Sequence, residues 1–305
     1  MATNTADSNR PMGSDINGKD HGSYYTDRDF ELHPNDSRDN ALSKIRTAGS
    51  ITIPPELFEK LYLSPENRVK GDLRKTFGNP TPIGLAGFLL SLTPLSCFLM
   101  NWRGTLTGLG ASNIAAYMFF GGVLMMVSGF FELILGNTFP AVVFTTFGAF
   151  WLTFGGTLQP FYGAWSAFAP DPVAAPQVGL TEPAFFNAFA FFLLFMGLLC
   201  LVYLVCSLRT NLVFFLIFLP LPPAFGCLAA SFWFTGMGNM AYAETLQIAG
   251  GALSFIVCVL GWYLFTALML AAVDAPIALP VFDLSTRIKG ANDRKKLKGS
   301  LEGDV

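Results

Sequence analysis

PAFFNAFAFFLLFMGLLCLVYLVC, residues 183–206, decides the fold class of this chain, because it contains no charged residue. An α-helix rises 1.5 Å per residue, so about 20 apolar residues cross the ~30 Å hydrocarbon core of a bilayer. Five further apolar runs have a comparable length, and they cover residues 82–100, 113–135, 139–158, 212–234 and 246–272. The sequence therefore predicts an all-α polytopic membrane protein with six transmembrane helices per protomer.

The distribution of charge agrees with six spans and predicts their orientation. Apolar residues make up 52% of the chain and charged residues 13%, about half the charged share of an ordinary globular protein. Of the 19 Lys and Arg, only Arg103 and Arg209 lie between residues 76 and 286. If the N-terminus is cytoplasmic, Arg209 and the basic residues that flank the first and last spans also lie on the cytoplasmic side. Only Arg103 then lies on the outer side. The positive-inside rule therefore predicts that both termini are cytoplasmic.

Composition divides the chain into four parts. Residues 1–50 are rich in Asp, Asn, Ser and Gly, which predicts a disordered cytoplasmic tail. Residues 51–78 combine apolar residues at helical spacing with the basic stretch RVKGDLRK, a pattern typical of a juxtamembrane amphipathic segment. Residues 79–283 form the predicted six-helix transporter domain, and residues 284–305 form a basic-rich cytoplasmic tail.

Several classes of chemistry find no support in the sequence. The only histidines, His21 and His33, lie in the polar tail, and no Cys-His or carboxylate cluster has the spacing of metal ligands. No nucleotide-binding fingerprint is visible, and no nucleophile lies beside a base. We therefore expect no metal, no cofactor, no nucleic-acid partner and no enzymatic activity.

Polar residues inside the apolar runs are the candidate functional groups. Glu132 stands in GFFELILGN, where a buried charge costs on the order of 2.5–3.5 kcal/mol. It either faces the interior of the bundle or lies near the interface, and the sequence favours neither. Asn79, before Pro80, can cap the first turn of span 1, and that helix N-terminus could also attract an anion. Spacing alone favours a simple cap.

Glycine and proline predict two local features of the spans. Gly136, Asn137 and Thr138 are nearly all that separates spans 2 and 3, which predicts a tight helical hairpin. The cluster Pro220-Leu221-Pro222-Pro223 removes backbone donors from span 5 and predicts a kink there. Gly122 and Gly129 lie two turns apart on one helix face, as do two glycines of span 3, so the neighbouring helices can approach closely.

NPTPIGLAGF (79–88) resembles the signature that opens the acetate uptake transporter family, the YaaH-type permeases of bacteria and fungi. The resemblance covers roughly residues 76–283. It continues through FFGG (119–122), Glu132 with GNTF (136–139), FTTFGAFW (144–151), LRTN (208–211), AGG (249–251), GWY (261–263) and LPV (279–281). It implies plasma-membrane transport of acetate and related short monocarboxylates, with or without a proton. It also implies a homo-oligomer, a hexamer in which each protomer has its own pore.

The resemblance also assigns candidate site residues. A narrow hydrophobic constriction falls on Phe88, Phe147 and Leu221, although the family has Tyr at the position of Phe147. Met125 likewise replaces a usual Gln. The predicted substrate path passes Asn79, Glu132, Asn137 and Thr138. A dry constriction passes a neutral acid more easily than an anion, so we expect uptake to be favoured at acidic pH.

Two other functions remain open on the sequence. One is a channel or exporter for ammonia or ammonium, for which Glu132 is the only candidate cation-binding group in the spans. The other is a membrane sensor that does not transport, suggested by the proline cluster and the long N-terminal tail.

Overall fold

A computed structural model describes residues 77–105 and 110–281 of the chain. The described part is helical, and six of its helices are long and apolar enough to cross a membrane. These helices are α1 (Thr81–Leu99), α2 (Ala111–Ile134), α3 (Thr138–Leu158), α4 (Pro183–Ser207), α5 (Leu212–Gly236) and α6 (Met240–Ala272). This confirms the predicted all-α membrane fold with six spans. The predicted segment 1–50, nearly all of 51–78 and the segment 284–305 lie outside the described residues.

The helix bounds agree with the predicted spans except at the start of α6. This helix begins at Met240, six residues before the predicted run, because the Asn239 side chain caps it by accepting a hydrogen bond from the Tyr242 amide at 3.4 Å. The extra turns contain the exposed Glu244 and are too polar to belong to an apolar run. A helix can thus extend beyond the hydrocarbon, where hydropathy no longer marks it.

Helix α5 is interrupted at the proline cluster. Its first segment ends at Phe218, and its second, Leu221–Gly236, begins directly after Pro220. Pro220, Pro222 and Pro223 have no N–H to donate to the carbonyls four residues before them. The break in span 5 is therefore confirmed, and it makes Leu221 the first residue of the second segment.

The connection between α2 and α3 is the predicted tight hairpin. Gly136 adopts φ 77°, the left-handed conformation that glycine reaches without strain. The Asn137 amide donates to the Glu132 carbonyl at 2.8 Å, and the Gly136 amide donates to the Leu133 carbonyl at 3.0 Å. This pair of bonds is a Schellman motif, which ends α2 and turns the chain directly into α3.

Small residues bring α1, α2 and α3 close together. A methyl group on Gly129 of α2 would lie 2.6 Å from the Thr145 side chain of α3, and one on Gly148 of α3 would lie 2.8 Å from Met126. The glycines thus confirm the predicted close approach of the helices. Residues Tyr117–Leu124 of α2 form a π-helical segment.

Gly87→Ala should destabilise the α1–α2 contact, because the new methyl group would collide with the Phe120 carbonyl oxygen. Backbone cannot move aside as a flexible side chain does, so we expect a loss of about 1–3 kcal/mol. Gly226→Ala is the matched control, since nothing lies within 4 Å of its added methyl. Thermal unfolding of the two purified variants should show a lower midpoint for the first only, and equal midpoints would contradict this packing.

The outward faces of the bundle are apolar, as a lipid environment requires. Phe119 on α2 and Phe195 on α4 are 67% and 63% exposed, and α4 exposes apolar residues along most of its length. Glu132 is the only charged side chain in the described part of the chain that is fully buried. Apolar residues thus cover the outside, and the charge within the bundle is shielded by its neighbours.

Candidate substrate pathway

Glu132 faces the interior of the bundle and is 0% exposed. The Thr81 hydroxyl at the start of α1 donates a hydrogen bond to its Oε1. The Asn137 side-chain amide donates to its Oε2 at 2.6 Å. Both carboxylate oxygens therefore accept hydrogen bonds, which offsets the desolvation of a buried charge. Glu132 therefore faces the interior of the bundle, as one of the two alternatives held, and it does so close to the end of its span.

We call Thr81, Glu132 and Asn137 the Glu132 cluster. Its hydrogen bonds connect the ends of three helices. Thr81 begins α1, Glu132 lies in the last turn of α2, and Asn137 directly precedes α3. The Ser128 hydroxyl of α2 adds a third hydrogen bond by donating to the Pro80 carbonyl at 2.8 Å. We call the end of the bundle that contains this cluster the terminal end. The opposite end, with residues 100–105 and the segments 159–182 and 237–239, is the loop end.

Two other predicted path residues lie beside the Glu132 cluster. The Asn79 side chain is half-buried and accepts a hydrogen bond from the Thr81 amide at 2.9 Å, so the predicted cap on the first turn of α1 is confirmed. Thr138 is the first residue of α3, and its side chain is exposed. It therefore lies next to the cluster along the chain without being buried in it.

The three residues predicted to form the constriction are all buried at the middle of the bundle. Phe88, Phe147 and Leu221 are 6%, 4% and 3% exposed, and all belong to one hydrophobic core. The rings of Phe88 and Phe147 meet edge to face, with 6.1 Å between their centroids. Leu221 lies at the break in α5. The structure thus brings the two aromatic members into direct contact.

An apolar cavity of ≈ 60 Å³ lies between α1, α3, α4, α5 and α6 towards the loop end. Since a buried water occupies about 10–15 Å³ on this scale, it has room for a few water-sized occupants. Most of its wall is phenylalanine and leucine. The lining residues are Leu95, Phe98, Leu99, Phe150, Phe154, Thr157, Leu158, Phe185, Phe189, Leu193, Leu228, Phe232 and Gln247.

The cavity lies on the same helix faces as the predicted constriction. Residues 7 and 11 positions apart in an α-helix share a face, separated by about 10 and 16 Å along the axis. We counted 7 and 11 residues from each predicted constriction residue towards the loop end. On all three helices, both positions are residues that line the cavity. From Phe88 these positions are Leu95 and Leu99, from Phe147 Phe154 and Leu158, and from Leu221 Leu228 and Phe232. The agreement on three separate helices places the cavity directly beyond the three residues predicted to form the constriction.

The face of α1 continues in the other direction as well. Seven residues before Phe88 is Thr81, whose hydroxyl binds the buried Glu132. One face of α1 therefore carries three features in order: a residue of the polar cluster at the terminal end, the buried Phe88, and two residues of the cavity wall at the loop end. Polar groups lie at one end of this series and apolar groups at the other.

A hydroxyl group lies beside Phe147, although Phe147 itself has none. The ring of Tyr203 on α4 lies 6.4 Å from that of Phe147, and its hydroxyl is 2.9 Å from the Thr146 hydroxyl. Tyr203 is buried and also packs against Phe218. Its position was missed from the sequence, where the only signal is a single Tyr in the apolar run of α4.

Three further features of the pathway were not predicted. Thr81 and Ser128 were not recognised as partners of the Glu132 cluster, because small hydroxyl residues are common in membrane helices. Gln247 was passed over because it stands at the edge of the apolar run of α6.

Within the ranges 77–105 and 110–281, no group of three or more His, Cys, Asp or Glu could hold a metal ion.

A six-span helical bundle with a buried polar cluster and an internal cavity on common helix faces is typical of a membrane protein of the channel or transporter class. Comparison with known sequences makes this specific. The chain belongs to the GPR1/FUN34/yaaH family, which matches residues 63–286.

Fungal relatives cover most of the matched region. The chain is 45% identical over 239 residues to Protein alcS of Aspergillus fumigatus, covering 77% of this chain and 86% of the relative. It is 30% identical to Acetate permease A of Emericella nidulans, covering 73% and 70% of the two chains. It is 28% identical to Ammonia transport outward protein 2 of Saccharomyces cerevisiae, covering 73% and 76%.

Proposed function

We propose that this protein transports acetate and related short monocarboxylates across the plasma membrane. The observation that carries the proposal is the shared register of constriction and cavity on α1, α3 and α5. A relative of 30% identity is named as an acetate permease, which supports this substrate class. We further propose a homo-hexamer with cytoplasmic termini, in which each protomer has its own pathway and catalyses no chemical reaction.

The proposed pathway matches the two ends of a short carboxylic acid. Asn79, Asn137 and Thr138 place polar groups at the terminal end, near the N-termini of α1 and α3, where helix dipoles favour a negative group. Phe88, Phe147 and Leu221 form the proposed constriction, and the apolar cavity beyond it accommodates a short hydrocarbon tail. In this arrangement Glu132 holds the terminal end together through Thr81 and Asn137.

The proposed pathway favours the neutral acid. An unpaired carboxylate buried in an apolar cavity costs several kcal/mol, whereas the protonated acid requires far less desolvation. Simple carboxyl groups ionise near pH 4 to 5, so lowering the pH from 7 to 5 raises the neutral fraction roughly a hundredfold.

Labelled acetate uptake by cells that lack other carboxylate permeases tests the proposed function. Expression of this protein should give saturable uptake that is several-fold faster at pH 5 than at pH 7. Cells with an empty vector give the diffusive background at each pH. Uptake that does not exceed this background, from protein shown to reach the cell surface, would refute acetate transport.

Transport of ammonia or ammonium is the second candidate, because one relative of 28% identity is named for outward ammonia transport. The buried carboxylate of Glu132 is the one group of the described pathway suited to a cation, but Thr81 and Asn137 already occupy both its oxygens. Competition separates the two functions: an excess of unlabelled propionate should abolish acetate uptake, and an excess of methylammonium should leave it unchanged.

A further inference from the structure

The cavity at the loop end is lined by one polar side chain, that of Gln247, that forms no hydrogen bond within the described residues. Only two of its lining residues, Thr157 and Gln247, have polar side chains. The Thr157 hydroxyl donates to the Thr153 carbonyl of its own helix at 2.9 Å. The half-buried Gln247 amide takes part in none of the side-chain hydrogen bonds formed within the described ranges. A primary amide that lines an apolar cavity without a partner in the protein offers two N–H donors and one carbonyl acceptor to an occupant.

The primary amide of Gln247 is complementary to a protonated carboxylic acid. Its carbonyl oxygen can accept the acid O–H, while its N–H donates to the acid carbonyl, so two hydrogen bonds close one ring. A carboxylate has no O–H to donate, and an ammonium ion has no acceptor. The surrounding phenylalanines disfavour an ion of either sign. The chemistry of the wall therefore selects a small neutral molecule that has a donor and an acceptor bonded to the same carbon atom.

We propose that the cavity is a binding site for the neutral form of a short carboxylic acid, in which Gln247 forms a two-point hydrogen bond with the carboxyl group. The phenylalanines then surround the hydrocarbon tail, and the limited volume restricts its length. This inference rests on the proposed function, because it names the form in which the substrate occupies the cavity and the residue that recognises it.

The test uses two molecules of about the size of acetic acid, acetamide and acetone, in competition with labelled acetate at pH 5. Acetamide and acetone both resemble acetic acid in shape and do not ionise, but only acetamide has a donor next to its carbonyl. The full-length protein in proteoliposomes is compared with Gln247→Met, which preserves side-chain length and removes both hydrogen bonds. Thr245→Val is the matched control, because Thr245 lies on α6 outside the cavity lining and its hydroxyl already donates to the Ala241 carbonyl of its own helix.

Two-point recognition makes acetamide a competitor at least tenfold stronger than acetone in the unaltered protein. In Gln247→Met this preference should disappear, and the KM for acetate should rise about ten- to thirtyfold, the effect of losing two hydrogen bonds. Thr245→Val should behave as the unaltered protein. Equal competition by acetamide and acetone in the unaltered protein would overturn the inference even if no variant folded. An unchanged KM in a folded Gln247→Met would do the same.

The outcome also separates this inference from the proposed function. If the unaltered protein takes up acetate but shows no preference for acetamide, acetate transport stands and the role of Gln247 is refuted. If proteoliposomes with folded protein take up no acetate, the proposed function fails, and the role of Gln247 fails with it.

Discussion

Asn137→Asp should severely destabilise the protein at neutral pH. The substitution replaces the amide that donates to Glu132 Oε2 at 2.6 Å with a second carboxylate at the same distance. Two negative charges this close in a buried site repel each other by several kcal/mol even at an effective dielectric constant of about 20. The protein can fold only if one carboxyl takes up a proton. At pH 7 this protonation costs about 4 kcal/mol, a large part of the stability of a typical domain.

The destabilisation should depend on pH and be reversed by a second substitution. The folded pair holds one proton more than the two carboxyls of the unfolded chain, so stability falls as the pH rises above about 4, by about 1.4 kcal/mol per unit. Glu132→Gln combined with Asn137→Asp exchanges amide and carboxylate and restores a single charge. Thermal unfolding of both variants at pH 5 and pH 7 tests this. A single variant as stable as the parent at pH 7, or a double variant no better than the single, would contradict the pairing.

The fold follows from the sequence because its determinants are local along the chain. The lengths of the apolar runs determine the six spans. The break before Leu221 arises because proline has no backbone N–H to donate. The hairpin at Gly136 arises because glycine adopts a positive φ without strain. Each of these features depends on residues within a few positions of one another. The start of α6 was misplaced for a related reason, because an exposed helical turn carries no hydropathy signal.

The site was harder to predict because its contacts join distant parts of the chain. Glu132 could be recognised as unusual, but its partner Thr81 lies 51 residues away. The resemblance identified Phe88 and Phe147 separately, whereas their contact and the hydroxyl of Tyr203 beside them depend on the packing of α1, α3 and α4. Gln247 became notable only when the wall of the cavity was known. Sequence alone identifies unusual residues, and packing determines what they contact.

Phe88→Ala should relax the size selectivity of transport. The Phe88 ring fills the space beside Phe147 on the face that leads towards the cavity, and truncation to alanine removes it from the narrowest proposed point. A hydrophobic pocket discriminates by about 1–3 kcal/mol for each methylene that it must reject. We therefore expect the ratio of butyrate to acetate uptake to rise at least tenfold. The ratio of kcat/KM values for the two acids, measured at one pH, is the appropriate measurement.

Phe119→Ala is the matched control for the Phe88 prediction, because it removes the same ring from an outward-facing position that is 67% exposed. Its selectivity should equal that of the parent protein. Truncation of a buried Phe can also cost about 3–5 kcal/mol of stability, so surface expression must be measured for both variants. Lower expression reduces the uptake of both acids equally and leaves their ratio unchanged, whereas a wider constriction raises the ratio at any level of expression. A ratio that stays at the parental value in folded Phe88→Ala would therefore place the constriction elsewhere in the bundle.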